Sequence, residues 1–165
     1  MAFLKWTAFQ AAALAGLVVL AFLAEFYSFS IGHVLASGTT SGMLVVLTFI
    51  LLSTSMIHLF FVFHSKKSDR FLSHSLWNKM NVLSGLLLTF SIAVFISASV
   101  FTSLNDRITD NRWILYGISY FFMFLYSLFV LSVVHKVKRE SAKETKIEIS
   151  FGATVVSLCL LLFLL

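Results

Sequence analysis

Residues 43–63 read Met-Leu-Val-Val-Leu-Thr-Phe-Ile-Leu-Leu-Ser-Thr-Ser-Met-Ile-His-Leu-Phe-Phe-Val-Phe, twenty-one positions without one Asp, Glu, Lys or Arg. As an α-helix this run is about 31 Å long, close to the roughly 30 Å hydrocarbon thickness of a bilayer. A buried strand needs only about five or six such residues. The stretch therefore predicts a membrane-spanning helix.

Four further apolar blocks flank it, over residues 8–34, 82–104, 113–134 and 149–165. Hydrophobic residues make up 59% of the 165 and charged residues 12%, about half the charged fraction of an ordinary soluble domain. There is no proline and there are seven glycines, which suits uninterrupted helices in a medium that offers a freed N–H no partner. The expectation is an all-α, polytopic transmembrane bundle of five spans, forming a single transmembrane helical domain over 1–165. The first block is too long for the apolar core of a secretory signal peptide, so none is expected. No internal repeat and no Gly/Pro-interrupted pair of spans points to an inverted-repeat transporter.

Orientation follows from the cations. Lys5 precedes the first span; Lys66, Lys67, Arg70 and Lys79 lie between the second and third; Lys136, Lys138, Arg139, Lys143 and Lys146 lie between the fourth and fifth. That places ten Lys and Arg on one side, against Arg107 and Arg112 on the other. Cationic loops stay in the cytoplasm, so the N-terminus is expected inside and, after five spans, the C-terminus outside. Trp6, Trp77 and Trp113 fall at block edges, where indole favours the headgroup level, and read as interface anchors. Reporter fusions after Ser68 and after Ser141 should read cytoplasm, and one after Leu165 should read the outside. A cytoplasmic signal from Leu165 would remove the fifth span from the bilayer.

The cations also predict attraction of the cytoplasmic loops to anionic lipid. Nucleic acid is not an expected partner, because Glu140, Glu144 and Glu148 interleave the basic run and no aromatic platform accompanies it. The chain is expected in a membrane, most simply the cell (cytoplasmic) membrane, as a homo-oligomer or with other membrane subunits.

Glu25 is the one acidic residue inside an apolar block, and an intramembrane carboxylate is a functional candidate. Its depth decides its meaning. With Trp6 at the inner interface, about 20 residues of helix carry Glu25 to the outer interface; with a span beginning near Leu14, it is buried. Ser28 and His33 follow on its face, and on the second span Thr54, Ser55 and His58 share another. These six form a candidate intramembrane polar site. On the third span Ser84, Ser91 and Ala98 recur every seven residues, a small-residue stripe expected to pack closely on another helix.

A b-type haem needs histidines on two helices at one depth. His58 or His64 with His135 are the pairs available, but His64 and His135 sit at the water boundary and His58 about 9 Å deeper. No HExxH or CxxC spacing marks a metal site, and the lone Cys159 cannot form an intrachain disulfide. No cofactor, metal or catalytic residue is therefore expected, and enzymatic activity is disfavoured. Five helices in this length are similar to the translocator protein family, but that family's proline- and tryptophan-rich segments have no counterpart here, and no residue is carried over. Three functions remain: transport or channel activity, a non-catalytic subunit of a larger membrane complex, and a haem-bearing redox protein.

Overall fold

The computed structural model describes residues 2–27, 40–68, 71–102 and 104–164. They form α1 (Ala2–Phe26), α2 (Thr40–Lys67), α3 (Trp77–Phe101), the short α4 (Leu104–Asp110), α5 (Arg112–Val137) and α6 (Lys143–Leu164), with no strand among the described residues. All but α4 are long and apolar enough to cross a membrane, so the chain is a five-span helical bundle.

The helices overrun the apolar blocks, because a helix continues past the hydrocarbon edge as long as its backbone bonds are made. α6 starts at Lys143 instead of Ile149, and its 22 residues, about 33 Å, span comfortably. It begins within Ser141-Ala142-Lys143-Glu144, where a Glu three positions after a Ser fits the capping-box pattern of a helix start. α3 begins five residues before Val82. Residues 105–112, the charged segment between the third and fourth apolar blocks, largely fold into α4, and Asn111 then caps α5 by accepting the Trp113 amide at 3.2 Å. Residues 28–34 of the first block lie outside the described residues, so Ser28 and His33 have no described position.

α2 and α5 are the centre of the bundle. α1 packs along α2, α3 along α5, and α6 lies against both. Among the described residues the backbone of α3 runs alongside no other helices than α4 and α5, and beyond its first residue, Trp77, it leaves Leu83, Leu86, Phe90 and Val100 facing outward. α1 approaches α2 closely at Gly16, where a Cβ would come within 2.8 Å of the Met56 sulfur.

Among the described residues the buried side chains divide into ten hydrophobic and ten polar. That is a far larger polar share than a water-soluble core holds, and many of the large apolar side chains line the outside. In lipid, burying a leucine between helices gains little over leaving it in acyl chains, so small and polar residues take the contacts. Most of the hydroxyls are satisfied by their own helix: Ser127 donates to Met123 O, Ser84 to Met80 O and Thr154 to Ser150 O.

One apolar cluster closes the end of the bundle that carries most of the cations. Ile57 and Phe61 of α2, Leu131 of α5 and Ile147 of α6 meet Trp77 and Leu72. The spacing of Leu72, Leu76, Trp77 and Met80 fits one face of a helix. Leu72 instead sits in the turn before α3 with φ of 66°, a left-handed conformation that costs a branched side chain energy. The turn folds Leu72 under the bundle and leaves Leu76 outside. Lys146 is enclosed at this end too; its ammonium donates to the Arg139 carbonyl at 2.8 Å and so binds the start of α6 to the turn after α5.

Candidate functional site

Several buried and half-buried polar residues of α2, α5 and α6 can be followed along the bundle as a seam, while Ser132 of α5 faces Ser84 of α3 instead. α6 contributes Lys146, Ser150 and Thr154 at four-residue spacing, which keeps them on one face. α2 contributes Ser53, Thr54 and His58, and α5 contributes Tyr116, Tyr120 and Ser127. α2 and α5 run parallel and α6 runs against them, so Thr54 and Thr154, and His58 and Phe151, come level.

The middle of the seam is a small chamber. Thr54, His58 and Phe61 line it from α2, Ser127 from α5, and Ser150, Phe151 and Thr154 from α6. The His58 ring stacks on Phe151, centroids 4.4 Å apart. Thr54 is 2% exposed, and its Oγ1 has no hydrogen-bond partner among the described residues. Ser55 is not part of the lining; its hydroxyl turns back to Leu51 O at 2.7 Å.

Toward the end away from the cations, the Tyr120 hydroxyl donates to Leu17 O at 3.0 Å, with Ser53 beside it. One turn further the Tyr116 hydroxyl donates to Glu25 Oε2 at 3.2 Å. Glu25 is the penultimate residue of α1, half-buried, and level with Trp113, whose ring meets Phe22 at 4.7 Å. Glu25 therefore belongs to the end of the bundle. Tyr116 and Ser127 are eleven residues apart on α5, about 16 Å. The structure thus brings Thr54 and His58 together and keeps Glu25 apart from them.

At the opposite end His64 and Gln10 of α1 lie 3.0 Å apart, and His64 meets the edge of Phe71. Phe71 continues to Trp77, and Trp77 to His135, centroids 5.6 Å apart. The three histidines considered for haem face different helices: His58 faces α6, His64 faces α1, and His135 faces Trp77 of α3. Among the described residues no three His, Cys, Asp or Glu side chains gather as a metal site would require. Trp6 is half-buried, with Lys5 and Lys66 ammoniums 5.9 and 5.3 Å from its centroid; Trp113 is exposed, and Trp77 is enclosed at 9% exposure. Of the small-residue stripe, Ser84 is buried with its Oγ 3.0 Å from Ser132 Oγ of α5, while Ser91 and Ala98 are half-buried.

Sequence reading missed Ser127, Ser150 and Thr154. The four-residue spacing of Lys146, Ser150 and Thr154 is a signal that could have found part of the set, because it puts a polar stripe down an otherwise apolar helix.

No family model, curated protein or solved structure matches this chain.

Proposed function

We propose that this small integral membrane protein works in transport or as a channel, as an oligomer in the cell membrane, moving a proton or small cation along the polar seam. The seam itself carries the reading. Helices in lipid pack well enough through small residues, whereas ionisable and hydroxyl side chains aligned through a membrane protein mark ion and proton routes. Glu25 and Tyr116 form its mouth at one end, Tyr120, Ser53, Thr54 and His58 carry it inward, and Lys146 stands at the other end beneath the cationic loops, which also attract anionic lipid.

Glu25→Gln keeps the size and the hydrogen bond from Tyr116 but removes ionisation. It should abolish pH-dependent flux in vesicles holding the purified protein and a pH-sensitive dye, with the fold intact. Undiminished flux in this variant would exclude the carboxylate from the route. Absence of flux from wild-type protein would remove the transport reading.

A second reading, a subunit of a larger membrane complex, draws on the exterior. The outward side of α3 and an open groove of about 350 Å³ between α1 and α2, lined by Leu20, Leu23, Leu44, Phe49 and Leu52, offer apolar surface to partner helices. Purification in mild detergent with mass analysis separates the two, since a homo-oligomer supports transport and a stoichiometric foreign chain supports the subunit.

A further inference from the structure

We propose that the chamber between α2, α5 and α6 binds one water molecule, held between Thr54 and the hydroxyl oxygens of α5 and α6, and that this water is the proton-exchange partner of His58.

The argument is a count of protons. A serine or threonine hydroxyl has one proton to donate and two lone pairs to accept with. Ser127 gives its proton to Met123 O at 2.8 Å, Ser150 to Ile147 O at 2.8 Å and Thr154 to Ser150 O at 2.8 Å. Toward the chamber these three oxygens can only accept. Thr54 is the opposite case: it keeps a proton and, among the described residues, has nothing to give it to. Buried hydroxyls in native proteins are paired with protein or with ordered water. A water molecule accepts from Thr54 and donates its two protons to two of the three wall oxygens, which leaves its second lone pair for the His58 ring.

Size and charge select the same occupant. The chamber offers about 10 Å³ to the centre of a water-sized sphere, the minimum that holds one water. A metal cation would require about six oxygens and negative charge to replace its hydration. The lining carries no carboxylate. Glu148, on the turn of α6 before Phe151, is the carboxylate whose field reaches His58.

His58 gives the site its chemistry. Its ring borders the same chamber, stacked on Phe151. A water fixed there accepts a hydrogen bond from the ring N–H through its free lone pair; when the ring proton moves to the water, one of the water's own protons returns to the same ring nitrogen, so the exchange leaves both molecules unchanged. The site is a property of the interior and stands independently of transport.

The test uses the full chain in lipid bilayers with 15N-labelled histidine. Solid-state NMR should show a correlation between an immobilised water and the His58 ring, with His58 identified by the signals lost in His58→Asn. Thr54→Val, which keeps the shape and removes the hydroxyl, should abolish the correlation, and Thr54→Ser should retain it. Thr154→Val removes a wall acceptor and should weaken it, a second reading if Thr54→Val fails to fold. No water correlation at His58 in the wild-type protein, or one that persists unchanged in Thr54→Val or Thr154→Val, overturns the proposal.

Discussion

Leu131→Ala should lower the stability of the bundle by about 2 kcal/mol, at the low end of what a buried leucine costs in a soluble protein. Leu131 is fully enclosed on α5, in the cluster with Ile57, Phe61, Leu72, Trp77 and Ile147. Two terms make up such a loss in water: transfer of the removed carbons and the cavity they leave. Only the second acts at full strength here, because the dissociated helix would expose Leu131 to lipid and not to water. Leu86→Ala is the control. Leu86 is 64% exposed on the outward side of α3, and its truncation should change stability by less than about 0.5 kcal/mol. Reversible unfolding in bicelles measures both. Equal effects would mean that α5 does not occupy the centre.

Ser84→Leu should have a comparable or larger effect, for the opposite reason. Ser84 is 1% exposed and lies 3.0 Å from Ser132 across the α3–α5 contact. Next to it, a Cβ on Gly85 would come within 3.3 Å of the Phe129 ring, so even one added carbon would make that ring shift slightly. Overpacking typically costs about 1–3 kcal/mol. Beyond Trp77, α3 lies along no second long helix, so the added bulk pushes it away from α5. Ser84→Ala keeps the close approach and should lose only about 0.6 kcal/mol, the average for an interhelical hydrogen bond in lipid. Ser91→Leu, at a half-buried position of the same stripe, should fall between the two. Thermal unfolding in detergent ranks the three; an unchanged midpoint for Ser84→Leu would show that α3 can leave α5 without loss.

The five spans were legible because hydrocarbon thickness imposes a length on apolar runs, and residues 43–63 state it outright. The helix ends were less so. Apolar runs measure the hydrocarbon, while Lys143–Glu148 and Trp77–Asn81 stay helical beyond it. Leu72 misled for a different reason: its spacing to Trp77 and Met80 fits a helix, and a single left-handed residue breaks the helix without any mark in the side-chain pattern. Thr54 and His58 were visible as polar residues in an apolar run. Their partners Ser127 and Thr154 were not, because periodicity within one helix carries no record of which other helix it meets. Glu25 could be assigned only once its depth was fixed, by Tyr116 and Trp113 on a helix some ninety positions later.

The placement of α3 has a consequence for the order in which the protein is made. α1 and α2 are partners and leave the ribosome in succession, so they can pair at once. α3 comes next, yet its long neighbour is α5. A nascent chain that has released three spans therefore holds a paired hairpin and a solitary helix, with serine and threonine protons folded back on their own carbonyls so that the helix can wait in lipid alone. Only the arrival of α5 joins the two halves, and α6 then seals α2 to α5. Ribosome stalling after residue 102 should yield a particle in which α3 drifts free of the α1–α2 hairpin.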